Sequence, residues 1–255
     1  MDILVTNDDG IHSEGILALS KALQSLGNVV IVAPDTERSA VGHGITVTQP
    51  LRVKTIRKNG KLFGYATSGT PADCVKLAVR AILKKKPDMV ISGINLGPNA
   101  GLSVLASGTL AGAIEGTILG VPSFAVSLRT FVNPDFTVAA EFSKKLAKLI
   151  HKNGLPKGTL LNVNVPAVKR GKIKGVKVTR QSQTALVESF DKRVDPHKQI
   201  YYWLTGELID LKGEKDSDAR AISRDYISVV PLQCNMTNND FMDELKRWDF
   251  NSSKA

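Results

Sequence analysis

Hydrophobic and polar positions along the chain follow two periods. Asp2 to Thr6 is a short apolar run that reads as a strand. From Gly15 to Leu26 the apolar residues fall at 16, 19, 23 and 26, the spacing of one helix face, and Gly27 follows as a stop. The run from Asn28 to Pro34 is continuously apolar and β-branched, as expected of a strand buried on both faces. A β–α–β start predicts parallel pairing.

Between Val41 and Ala66 the pattern changes. ITVTQPLRVKTI and LFGYAT flank Lys58-Asn59-Gly60-Lys61, and Asn-Gly between alternating segments predicts a hairpin. SGTPADCVKLAVRAILKKKP then predicts a helix. Thr70 is its N-cap, Pro71 its first residue, Asp73 the reciprocal partner, and Pro87 its stop. Asp88 to Ile94 reads as a buried strand and is followed by a Gly/Asn-rich loop. ASGTLAGAIEGTILG reads as a helix of small residues suited to close packing. Val121-PSFAVSL is a further strand and Pro134 to His151 a further helix. Beyond Gly154, LLNVNVP, GVKVTRQ, IYYWLTGEL and YISVVPL read as strands between charged loops, and Thr237 to Trp248 as a short helix. The expected fold class is α/β: a Rossmann-like three-layer α/β/α core with a mainly parallel sheet, antiparallel hairpin excursions and a C-terminal extension. Residues 1–130 are expected to form the core that carries the site. Residues 131–255 are expected to complete it and to add hairpins and a tail for oligomerisation.

Composition narrows the class. Of 255 residues, 42% are hydrophobic and 23% charged, the balance of a globular chain with a core of its own. The two cysteines, Cys74 and Cys234, lie far apart, which argues against a zinc or redox motif and fits free thiols in a reducing compartment. No apolar stretch approaches a membrane span. The acidic start at Asp2, Asp8 and Asp9 lacks the basic segment of a signal peptide, so the expected location is cytoplasmic. The net charge is +10, and eleven Lys/Arg with no Asp/Glu lie between Lys144 and Arg180. No aromatic interleaves them, so a solvated basic face is expected rather than a nucleic-acid partner.

The candidate chemistry sits where an open parallel sheet binds ligands, at the carboxyl ends of its strands. Asn7-Asp8-Asp9-Gly10 follows the first strand, Asp35 and Glu37-Arg38-Ser39 the second, and Gly93 to Asn99 the strand after residue 88. Asp8, Asp9, Ser39 and Asn95 offer only hard oxygens, which suit Mg²⁺, Mn²⁺ or Ca²⁺. A dication would cancel the repulsion of the adjacent carboxylates. The alternative for the pair is an Asx turn with a helix N-terminal acid. Ser107-Gly108-Thr109 opens a helix with no acid before Glu115, a candidate anion site, and Ser103 could add a hydroxyl. His12 and His43 lie in nearby loops. There is no GxxxxGK[ST] and no GxGxxG. A receiver-type domain would need an aspartate ending its third strand, where this chain reads Ile-Ser-Gly. A DxD phosphatase is excluded because the acids are adjacent.

Five blocks in order, ILVTNDDG (3–10), ERSAVGHGITVT (37–48), SGTPADCV (68–75), SGINLGPNAG (92–101) and SGTLAGAIEG (107–116), resemble the SurE (survival protein E) family. DARAISRDYISVVPL at 218–232 is similar to the family's C-terminal segment. The resemblance implies a divalent-metal-dependent 5'-nucleotidase with one Mg²⁺ or Mn²⁺ per subunit. The implied metal positions are Asp8, Asp9, Ser39 and Asn95, with Asp8 and Asp9 catalytic. Phosphate contacts are expected from Asn7, Asn95, Ser103, Ser107, Gly108 and Thr109. It also implies a homodimer or homotetramer with exchanged C-terminal elements, acting on nucleoside monophosphates. Two residues depart from the pattern: Ala40 stands where relatives usually carry glycine, and Ala106 where they often carry tyrosine.

Overall fold

The computed structural model describes residues 1–183, 186–208 and 215–250. The last five residues of the expected tail lie outside the described residues. The chain begins with β1 (Asp2–Thr6), α1 (Glu14–Leu23), β2 (Asn28–Pro34), β3 (Val53–Lys58) and β4 (Lys61–Thr67). It continues with α2 (Pro71–Leu77), β5 (Met89–Leu96), α3 (Gly108–Ile118), β6 (Ser123–Arg129), α4 (Thr137–Asn153), β7 (Thr159–Pro166) and β8 (Gly175–Val178). It closes with β9 (Leu186–Val194), β10 (Ile200–Leu208), α5 (Asp218–Ser223), β11 (Tyr226–Gln233) and α6 (Asn239–Leu245).

Nine strands form one sheet in the order β3-β4-β2-β1-β5-β6-β7-β11-β8. The pairs from β2 through β7 are parallel, and so are β2–β4 and β11–β8; β3–β4 and β11–β7 are antiparallel. The Asn59-Gly60 hairpin forms as expected, but 45–52 is loop rather than strand. The sheet crosses residue 130 without a break, since β7, β11 and β8 extend it past β6. β9 and α5 have no counterpart among the elements read from sequence.

Alternation along β1 assigns the layers. Ile3 and Val5 join the core with Ile16, Leu19 and Leu23 of α1 and Leu146 and Ile150 of α4. Leu4 points the other way, to Cys74 and Val75 of α2 and to Ala78 just beyond it. α3 covers the same side through Leu110 and Ala113. Each fully buried aliphatic side chain contributes about 1.5–3 kcal/mol, so both faces of β1 hold it in register. Its carboxyl end is thereby fixed between β2 on one side and β5 on the other. That is the point where the chain reverses its direction of sheet growth, the switch point of an open α/β sheet.

The small-residue helix packs as its composition predicts. Gly108, Gly112 and Gly116 face the sheet one turn apart. A Cβ on Gly112 would come within 2.7 Å of the Thr6 Cγ2 and 2.9 Å of the Ser92 Oγ. The stripe lets α3 lie close on β1 and β5, with its N-terminus over the end of β1. Among the described residues no helix is long and apolar enough to cross a membrane.

Candidate active site

The loop after β1 is shaped from within. Gly10 turns at φ +92, a conformation that favours glycine. Asn7, expected at a phosphate, is instead fully buried. Its Nδ2 donates to the Gly10 carbonyl (3.0 Å) and to the Ser13 Oγ (2.8 Å). Both amide hydrogens are therefore spent inside the loop, and Asn7 acts as its brace. Ser13 then caps α1 by accepting from the Ile16 N–H.

This brace presents Asp8 and Asp9 between the neighbouring elements. Asp8 is 4% exposed, and its Oδ1 accepts from the Thr109 Oγ1 at 2.6 Å. The Asp8 carbonyl accepts from the Arg38 N–H at 2.7 Å. A Cβ on Gly108 would lie 2.7 Å from the Asp8 Cβ, so glycine is required for α3 to approach this closely. Burial pushes the Asp8 carboxyl above the ordinary aspartate range, against the hydrogen bonds from Thr109. Asp9 is pushed up to about 7, first by burial and then by Asp8 and Glu37, while the Leu96 amide at the end of β5 pulls it back. Two elevated neighbouring carboxyls mark a site short of positive charge. Among the described residues neither Asp8 nor Asp9 has a Lys, Arg or His ion-pair partner. No three His, Cys, Asp or Glu residues there group as a metal site, so other oxygens must complete any cation shell.

The remaining expected residues divide. Ser39 follows Arg38, which touches Asp8, and its exposed hydroxyl donates to the Glu37 Oε1 at 2.6 Å. Asn95 precedes Leu96, which touches Asp9. Its Nδ2 donates to the Gly97 carbonyl (2.8 Å), which leaves its Oδ1 available. Ser107 is the N-cap of α3, and its Oγ accepts from the Leu110 N–H. Thr109 is committed to Asp8, so of the expected cradle only the Gly108 amide is uncommitted. Ser103 is exposed and donates to the Ala100 carbonyl of its own turn (2.6 Å), away from the role expected of it.

Sequence reasoning missed the layer beneath. Buried Asn99 donates through Nδ2 to the Ser127 Oγ (2.9 Å), with Thr109 at 3.4 Å. Its backbone is held by Asn162 and Asn164 of β7. Asp218, fully buried at the start of α5, accepts from the Gly101 and Ser182 N–H groups, and Gln181 donates to the Gly101 carbonyl. The signal was available in LLNVNVP. Two asparagines two apart share one face of a strand, and asparagine is poor strand material unless a network holds it.

The fold and the site together define an α/β protein of the Rossmann-like class, with an acidic pair, one member buried and one half-buried, at the switch point of its sheet. The family described as Survival protein SurE matches residues 3–188. The chain is 47% identical over 249 residues to the 5'-nucleotidase SurE of Syntrophobacter fumaroxidans, covering 98% of this chain and 100% of that one. It is 50% identical over 247 residues to the 5'-nucleotidase SurE of Syntrophus aciditrophicus, covering 96% and 93%. The crystal structure of the SurE protein from Aquifex aeolicus superposes with a TM-score of 0.85 at 44% identity, covering 96% of this chain and 98% of that one. This chain belongs to the SurE family.

Proposed function

We propose that the chain hydrolyses nucleoside 5'-monophosphates to nucleoside and phosphate at the end of β1, using a divalent cation, Mg²⁺ or Mn²⁺. The observation that carries this reading is buried Asp8 beside half-buried Asp9, without a basic partner among the described residues, in a chain whose relatives bear the name 5'-nucleotidase. The donor set fits such an ion. Asp8, Asp9, the free Oδ1 of Asn95 and, after leaving Glu37, the Ser39 hydroxyl would hold it. The ion would supply the positive charge against which phosphoryl oxygens are set.

Phosphoryl transfer is chiefly positioning and charge stabilisation. Thr109 fixes one Asp8 oxygen and leaves the other as the reacting or ligating atom, as base or as nucleophile. Gly108 opens α3 beside Asp8, and a helix N-terminus favours an anion there. The test is hydrolysis of AMP and GMP with Mg²⁺ or Mn²⁺, with chelator, and for Asp8→Asn. Loss of at least about 100-fold is expected in both the chelated and the substituted samples. Activity that survives both refutes the assignment.

Self-association is the second part of the proposal. Among the described residues β9 and β10 pair only with each other. Ile200, Tyr202, Trp203 and Leu204, consecutive or nearly so, are all more than half exposed, so both faces of the ribbon are open. An isolated two-stranded ribbon is marginal in water, and an apolar patch of this kind marks an interface. A homodimer or homotetramer joined through this ribbon is expected in light scattering. Trp203→Ser with Tyr202→Ser should shift it toward monomer.

A further inference from the structure

The loop that joins β2 to β3 carries Ser39 and then bends at Ala40, with φ +56, in the region that favours glycine. A non-glycine residue holds such a conformation only when the structure on both sides fixes it. The upstream side is fixed by Arg38, whose N–H donates to the Asp8 carbonyl (2.7 Å) and whose Nη2 donates to the Ser68 carbonyl (3.0 Å). Downstream, the Gly42 N–H donates to the Ala106 carbonyl (3.0 Å) beside the start of α3. The next residue, His43, sets its Nε2 3.2 Å from the Glu115 Oε2.

Glu115 is 1% exposed and lies in the middle of α3. Its other oxygen is 2.6 Å from the Lys76 Nζ of α2. A buried carboxylate with one oxygen satisfied by a lysine still needs a donor for the second. Here the donor comes from the loop, not from a helix. Glu115 thus ties three things together: α2, the helix whose first turn grips Asp8, and the loop that carries Ser39.

We infer that His43 is a positioning residue: its imidazole, seated on Glu115, fixes the far side of the Ala40 bend and so holds Ser39 beside the acidic pair. The inference rests on the reading of Ser39 as an oxygen donor to the cation. His43 does not touch the carboxylates; it acts through the loop.

The test is a cycle of His43→Ala, Ser39→Ala and the double variant, with His43→Gln alongside. Mn²⁺ affinity is measured by titration calorimetry, kcat and KM with AMP, and thermal unfolding in chelator. His43→Ala is expected to weaken Mn²⁺ by about tenfold, with kcat largely recovered at saturating Mn²⁺. His43→Gln, which keeps a side-chain N–H for Glu115, should restore most of the affinity. The double variant should bind Mn²⁺ no more weakly than Ser39→Ala, because both changes remove the same contact. Two results overturn the inference alone: losses that multiply in the double variant, or a lower melting temperature for His43→Ala with Mn²⁺ affinity intact. If Ser39→Ala itself leaves Mn²⁺ binding unchanged, the ligand assignment of Ser39 fails, and the role of His43 falls with it.

Discussion

Asp9→Asn should stabilise the metal-free protein and abolish its response to a cation. Asp9 is largely buried beside Asp8, and its carboxyl is displaced from 3.8 to about 7. A raised carboxyl means that the folded chain keeps a proton that the unfolded chain has lost. Stability therefore falls as pH rises from about 4 to about 7, and the full penalty is present above that range. At about 1.4 kcal/mol per pH unit the ceiling is about 4 kcal/mol, and residual solvent access reduces it to roughly 2. Asparagine keeps the shape without the charge. In chelator the variant should be more stable than the parent by about 2 kcal/mol near pH 8, and by almost nothing near pH 4, as read by urea denaturation. Saturating Mn²⁺ should reverse the order, since only the parent gains binding free energy on folding. The reasoning is refuted if the variant is the less stable form in chelator near pH 8, or if its advantage does not depend on pH.

Three further outcomes follow from the same geometry. Gly108→Ala drives a Cβ against Asp8 and the Arg38 carbonyl, and should cost about 1–3 kcal/mol in chemical denaturation and weaken Mn²⁺ in calorimetry. Thr109→Val removes the donor to the Asp8 Oδ1, and should cost about 1–3 kcal/mol and lower kcat/KM for AMP. Asp73 is opposed by burial, but hydrogen bonds from Thr46 and Thr70 outweigh it and hold its carboxyl below the ordinary range. That stabilisation is present above about pH 4 and is lost as pH falls through the depressed value. Asp73→Asn should therefore cost about 1–3 kcal/mol near neutrality, and the difference from the parent should shrink in acid.

What the sequence disclosed and what it concealed divide along physical lines. The order of β1, α1, β2, α2, β5, α3 and β6 was legible because periodicity and caps are local; the Thr70–Asp73 capping box forms as read. β9 was not legible, since LVESFDKRV bunches its charges at Asp191-Lys192-Arg193 with no period of two, and residues 189–194 are exposed, with no burial there to enforce a pattern. At the site, adjacency alone exposed Asp8 and Asp9. The places of Asn7 and Thr109 could not be read: Asn7 turns back on Gly10 and Ser13 of its own loop, and the partner of Thr109 is set by how close α3 comes to β1. That distance is decided by glycines whose packing shows only in three dimensions. Ser39 became visible through family resemblance, not through local chemistry.

The brace around Asp8 and the tether on Gly101 differ in origin, and this bears on how the protein can change. Asp8 is gripped by Arg38 and Thr109, residues that precede position 110 and meet at the carboxyl end of β1. The loop at Gly101 is instead held by Gln181 and Asp218, which arrive from the C-terminal third of the chain. Substitutions at Gln181 or Asp218 therefore act on the Gly101 turn and not on the groups that hold the Asp8 carboxylate. A library confined to residues 180–183 and 215–224 would alter the hold on that turn without replacing any residue seen to contact Asp8 or Asp9.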